Sequence, residues 1–129
     1  MKMALRARLR ADSGVAAIAG MRVDWGLRPQ WAKLPAVTLT MVAGGRDRLL
    51  GGAPDLAAQT VQADCWAQTY AEADALGEAV IAAIAVPATQ GGIRFGNASV
   101  SGDRDLPEVV SDGVLHRRSI DLIVRWAAE

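Results

Sequence analysis

Thr60-Val61-Gln62-Ala63-Asp64-Cys65-Trp66-Ala67-Gln68-Thr69-Tyr70-Ala71-Glu72-Ala73 passes from one hydrophobic period to another within a single short stretch. From Thr60 to Trp66 the side chains alternate, with Val61, Ala63 and Cys65 on one face and Gln62, Asp64 and Trp66 on the other. A period of two marks a half-buried strand. Thr69 and Glu72 then stand at capping-box spacing: the Thr69 hydroxyl accepts from the Glu72 amide while the Glu72 carboxylate reaches back to the Thr69 amide. Ala73, Leu76, Val80 and Ile84 follow as one apolar stripe at helical spacing, and Pro87 stops the helix. This strand-to-helix passage is the most secure pair of elements in the chain.

Outward from that stretch the same periods recur. Leu115 to Trp126 alternates, with Ile120, Leu122, Val124 and Trp126 opposite Ser119, Asp121 and Arg125. Ala36 to Val42 sets Val37, Leu39 and Met41 against Thr38 and Thr40, and Ile93 to Val100 is a fourth strand candidate. Before these, Leu5 and Leu9 mark a short amphipathic helix. Asp12 or Ser13 caps a second helix through Val15 and Ile18, which Gly20 ends. Residues 21–35, with Pro29 and Pro35, suggest an irregular connection. Residues 43–58, with four glycines and Pro54, suggest a long loop, and residues 101–113 a polar acidic one. The order helix, helix, strand, strand, long helix, strand, strand predicts an α+β fold: a mostly antiparallel four-stranded sheet packed against one long helix, plus short N-terminal helices. Residues 1–129 are expected to form a single domain.

Composition narrows the class. Of the 129 residues, 51% are hydrophobic, but 25 are alanine, so the large apolar side chains suffice for one modest core. Fourteen Lys and Arg balance fourteen Asp and Glu, which argues against a strongly basic nucleic-acid binder. The basic start (Lys2, Arg6, Arg8, Arg10) resembles a signal n-region. Asp12-Ser13-Gly14 interrupts it, and the apolar run Val15 to Ala19 is too short for secretion. A lone cysteine fits a reducing cytoplasm.

Chemistry is sparse. Cys65 and His116 are the only residues of their types, too few for a structural zinc site. Cys65 sits within an apolar alternation and is expected to be a buried, inert thiol, and His116 beside Arg117 and Arg118 a surface group. Gly44-Gly45-Arg46-Asp47-Arg48 and Gly91-Gly92 match no phosphate-binding fingerprint. No catalytic set, cofactor site or metal site is expected. Asp103, Asp105, Glu108 and Asp112 form an acidic run without EF-hand spacing. Trp25 and Trp31 lie in the irregular connection, where exposed tryptophans suit an interface and buried ones would cover the open edge of the core. Two other classes stay open on the residues alone: a small enzyme with an unrecognised pocket, and a stand-alone α+β ligand-binding or regulatory module.

The net charge of zero is unevenly distributed. Residues 1–48 carry nine basic and three acidic side chains, residues 49–113 two basic and nine acidic, and residues 114–129 three basic and two acidic. If the fold keeps these segments apart, unlike faces on one subunit suit head-to-tail contact between copies; if it interleaves them, the asymmetry vanishes.

The chain resembles the tail-completion, or tail-terminator, proteins of long non-contractile-tailed phages and of phage-derived gene transfer particles. The likeness rests on Leu5-Arg6-Ala7-Arg8-Leu9 with Val15-Ala16-Ala17-Ile18-Ala19-Gly20, on Leu34-Pro35-Ala36-Val37-Thr38-Leu39, on Val61 to Ala73, and on Ser119-Ile120-Asp121-Leu122-Ile123-Val124-Arg125-Trp126. Arg104-Asp105-Leu106-Pro107-Glu108 departs from the more aromatic pattern of relatives. The resemblance implies a non-enzymatic virion protein, assembled in the bacterial cytoplasm, that forms a ring, usually a hexamer, at the head-proximal end of the tail. Its implied partners are copies of itself, the tail tube protein and the head connector, with DNA only in transit and no membrane. On that expectation Asp103, Asp105, Glu108 and Asp112 line the channel. Arg46, Arg48, Trp25 and Trp31 then meet the tube or a neighbouring subunit.

Overall fold

The computed structural model describes residues 1–28, 33–50 and 53–129, the side chains of 43–50 and 53–56 excepted. Three helices, α1 (Lys2–Ala11), α2 (Ser13–Ala19) and α3 (Tyr70–Ile84), cover one face of a mixed sheet. Its strands are β1 (Val23–Trp25), β2 (Ala36–Leu50), β3 (Ala53–Ala67), β4 (Ala88–Gln90), β5 (Ile93–Phe95), β6 (Ser99–Asp105), β7 (Glu108–Val110) and β8 (Gly113–Ala128). The class is α+β as expected, but among the described residues the sheet has eight strands, not four, and curls into a half-barrel.

β8 organises the sheet. One edge pairs antiparallel with β3 from Ala57↔Trp126 to Ala67↔His116. The other edge is shared in sequence by β5, β6 and β7. β1 joins β2 in parallel, so the sheet is not wholly antiparallel. The missed strands β1, β4 and β7 have three residues each, too few to display an alternation. The single candidate over 93–100 divides into β5 and β6, and the expected loop over 101–113 consists largely of β6 and β7.

Residues 43–58 are the larger correction. β2 and β3 continue as a long hairpin through most of this segment, with register shifts after Met41, Gly45 and Leu49. Cross-strand backbone hydrogen bonds hold such a ladder whatever the side chains. Glycine weakens strand propensity without forbidding the conformation, and it often marks bulges.

The core is where the alternation placed it. Leu5, Leu9, Val15, Val37, Leu39, Val61, Ala63, Cys65, Leu76, Val80, Ile84, Ile120, Leu122 and Val124 form one buried cluster around Phe95. Asp12 Oδ2 accepts from the Val15 amide at 3.0 Å, and α2 closes on Gly20, whose φ of +60° disfavours any residue with a Cβ. At α3 the Glu72 amide donates to Thr69 Oγ1 at 3.2 Å. The return contact differs from expectation: Glu72 Oε1 accepts from the Thr69 hydroxyl, at 3.4 Å, rather than from the amide.

Candidate functional site

The helix-covered face of the sheet carries one charge in its core row. Arg118 belongs to the period of Ile120, Leu122 and Val124, and its side chain is only 10% exposed. Asp103 on β6 takes it in bidentate fashion, with Arg118 Nε 2.9 Å from Oδ1 and Nη2 2.6 Å from Oδ2. From α3, Glu78 Oε2 lies 2.8 Å from Nη1 and the Asp74 carbonyl accepts at 3.0 Å. The hydrogen bond from Arg118 lowers the pKa of Asp103, and the same bond raises that of Arg118. Beside this cluster the Tyr70 hydroxyl donates to Asp105 Oδ2 at 2.9 Å, which raises the tyrosine pKa. His116 meets the Tyr70 ring edge-on at 6.0 Å and is half-buried rather than a fully solvated surface group.

The opposite face centres on Trp66. Its Nε1 donates to Thr38 Oγ1 at 2.9 Å, and the guanidinium groups of Arg117 and Arg28 lie 4.7 and 5.5 Å from its ring. Arg117 is also 3.9 Å from Asp64. A shallow groove of about 370 Å³ runs over this set and reaches Glu108. Trp66, Thr38, Arg28, Arg117 and Asp64 contact one another in it, which makes this part of the face a cation–π and ion-pair layer. Cys65 is fully buried, and burial raises its pKa to about 12, so the thiol is inert at neutral pH. Its β8 register partner is Arg118, whereas His116 stands opposite Ala67. Among the described residues no group of three His, Cys, Asp or Glu side chains is placed to hold a metal ion. No helix there is long and apolar enough to cross a membrane.

The residues singled out in the sequence are dispersed. Trp25 on β1 donates from Nε1 to the Lys2 carbonyl at 2.8 Å, with the Lys2 ammonium 5.4 Å from its ring, so it pins the start of α1. Arg46 and Arg48 lie on the distal half of β2. Trp31 is outside the described residues. Asp103 and Asp105 are on β6, tied to Arg118 and Tyr70. Glu108 opens β7, and Asp112 stands exposed in the turn before β8. The acidic run therefore occupies one edge of the sheet, but half of it is engaged within the subunit.

Two residues the sequence reading passed over hold elements together. Arg118 had a legible signal, a charge at a core-period position of a strand. Arg8 had a similar one, a charge beside Leu5 and Leu9 on the buried side of α1. It donates to the carbonyls of Ala83, at 2.8 Å, and Val86, and lies 5.3 Å from the Phe95 ring.

Residues 3–127 match the family model of tail completion protein gp17. The chain belongs to that family. Membership over nearly the whole chain makes it a structural protein of the phage-tail type. A chain of the solved structure titled "Virion of native gene transfer agent (GTA) particle" shares the fold. Its TM-score is 0.71 at 20% identity, covering 98% of this chain and 93% of that one. A second solved chain matches with a TM-score of 0.53 at 15% identity, over 100% of this chain and 97% of its own length. No curated protein matches. This tail completion fold thus spans the full extent expected from the resemblance.

Proposed function

We propose that the chain assembles into a ring, a hexamer, that caps the head-proximal end of a tail tube. The ring stops tube polymerisation, joins the tail to the head connector and leaves a channel for DNA. Family membership over residues 3–127 carries this conclusion. The charge layout supports it. Arg6 and Arg10 of the basic N-terminal segment pair with Asp24 inside that segment, while Asp64, Asp74, Glu78 and Asp103 pair with the C-terminal Arg117 and Arg118. Within residues 1–48 nine basic side chains face three acidic ones, an excess that suits contact with an acidic surface of a neighbouring copy.

The chain is proposed to act at the head-proximal end of the tail after assembly in the bacterial cytoplasm, touching copies of itself, the tube protein and the connector. Deleting its gene from a particle-producing cell is expected to leave heads and tails unjoined, with tails of irregular length by electron microscopy. Supplying the chain in trans restores joined particles of uniform length. Uniform, head-joined tails without the chain would refute the proposal.

The β2–β3 hairpin, bearing Arg46 and Arg48, is proposed to reach the tube or a neighbouring subunit, with Trp25 and Trp31 near that contact. Arg46→Glu with Arg48→Glu is expected to abolish tail capping without lowering the melting temperature. Capping that survives the double change removes the hairpin from this role. The acidic edge formed by Asp103, Asp105, Glu108 and Asp112 is proposed to border the channel, where carboxylates avoid gripping phosphates. A ring structure with that edge on the outside would exclude it.

A further inference from the structure

α1 has two apolar sides. Leu5 and Leu9 enter the core, while Met3, Ala7 and Ala11, at four-residue spacing, line an open groove of about 330 Å³ together with Met21. Met3 and Met21 are 62% and 63% exposed. Arg6 and Arg10 form the groove's charged wall. Both guanidinium groups lean on the same Asp24 Oδ1, at 3.1 and 3.3 Å, so two positive charges share one carboxylate and the wall keeps a net positive charge. Arg10 Nε is buried without a hydrogen-bond partner.

The complementary shape lies elsewhere on the same chain. The β7–β8 hairpin pairs Val109 with Val114 across its strands, and both valines are exposed, Val109 by 83%. Residues 106–115 contain two acids, Glu108 and Asp112, and no base. This hairpin is therefore an apolar tip with a negative border, and the α1 groove is an apolar slot with a positive one. They also lie at separate places on the subunit: the tip is carried by β7 and the Gly113–Leu115 end of β8, whereas α1 packs against β1 and β4, the two outer strands of the sheet order. Unlike, complementary surfaces at separate places on one subunit form a heterologous contact, which closes into a ring when the rotation permits.

We propose that the Val109–Val114 hairpin tip of one subunit seats in the α1 groove of the next copy, with Glu108 and Asp112 against Arg6 and Arg10. The proposal rests on the ring function above and names the contact that builds it. Glu108 and Asp112 then lie at the seam between subunits, leaving Asp103 and Asp105 for the channel border.

The test uses two variants of the full chain and sedimentation over a concentration series. Val109→Arg sets a positive charge on the tip, and Met21→Glu fills the groove with a carboxylate that competes for its arginines. Both positions are exposed, so melting temperatures should match the wild type. Each variant alone should associate about 100-fold more weakly than the wild type. An equimolar mixture should give a one-to-one heterodimer and nothing larger, because only one intact tip faces one intact groove. Raising the salt concentration should weaken wild-type assembly. If either variant assembles like the wild type, or the mixture yields no heterodimer, this contact is wrong while the ring stands. A wild-type chain that remains monomeric throughout the series removes the ring and the contact together.

Discussion

Replacing Arg118 with alanine is expected to destabilise the fold by about 3 kcal/mol, which lowers the melting temperature by roughly 10 °C in a chain of this size. The guanidinium is the point at which β8, β6 and α3 meet, through Asp103, Glu78 and Asp74. The carboxylates of Glu78 and Asp74 are more than half exposed and rehydrate when the partner is lost, which keeps the cost at the lower end for a broken buried pair. Gly77 provides a sharper check. A Cβ there would lie 2.6 Å from Arg118 Cδ and 2.9 Å from Nη1, so the glycine is the seat of this side chain. Gly→Ala inside a helix normally stabilises by about 1 kcal/mol. Here Gly77→Ala should instead cost about 1–2 kcal/mol, because it displaces an arginine fixed by a bidentate carboxylate. In the Arg118→Ala background the sign should reverse, and Gly77→Ala should regain about 1 kcal/mol. Chemical denaturation of the four proteins measures the cycle, and purely additive effects would disprove the packing account.

The same cluster sets an acid limit. Arg118 holds the Asp103 pKa below its ordinary value. A depressed carboxylate contributes stability that is complete above its unfolded pKa and is lost as pH falls through the folded one. Wild-type stability should therefore decline on the acid side of the usual carboxylate range, and Arg118→Ala should flatten that decline. Asp103 is partly exposed, so solvent screening keeps the slope modest.

The alternation of Val61, Ala63 and Cys65, and of Ile120, Leu122 and Val124, identified the central strands and their buried faces, because a solvated sheet face forces period two. Thr69 and the stripe to Ile84 fixed α3 for the same kind of reason. What escaped was determined by partners rather than by local sequence. Residues 43–50 and 53–58 join the sheet through backbone pairing of β2 with β3, which no side-chain period announces. β1 exists because β2 offers Val37, Thr38 and Leu39 as parallel register partners. Of the candidate site, the acidic run was visible as composition. That Asp103 and Asp105 turn toward Arg118 and Tyr70 depended on the register of β6 against β8, set by a shift between Val100 and Gly102. Arg118 itself was legible, since it falls on the core period of β8 and needed only to be asked for its partner.

Arg8→Ala is expected to cost about 2–3 kcal/mol, with the damage concentrated where α1 meets the end of α3. A helix leaves its last carbonyls unsatisfied, and α3 has no basic residue in its own last turn. Arg8 comes from α1 to supply that charge, bridging the carbonyls of Ala83 and Val86 while lying on Phe95. Burial lowers the Arg8 pKa and nearby Asp12 offsets part of that shift, yet a guanidinium stays charged at any pH the fold tolerates. Hydrogen bonds from a charged donor contribute about 1.5–3 kcal/mol, and truncation also opens a gap over the Phe95 ring. Arg8→Lys should recover less than half of the loss, since a compact ammonium cannot span two carbonyls and stack on a ring at once. Arg10→Ala, which removes a single partly exposed contact to Asp24, should cost under about 1 kcal/mol. Amide exchange across residues 82–86 and α1 should accelerate in Arg8→Ala and remain slow in Arg10→Ala. Full rescue by lysine would reduce the role of Arg8 to a point charge. A loss below about 0.5 kcal/mol in Arg8→Ala would mean the two helices are held by Leu5 and Leu9 alone.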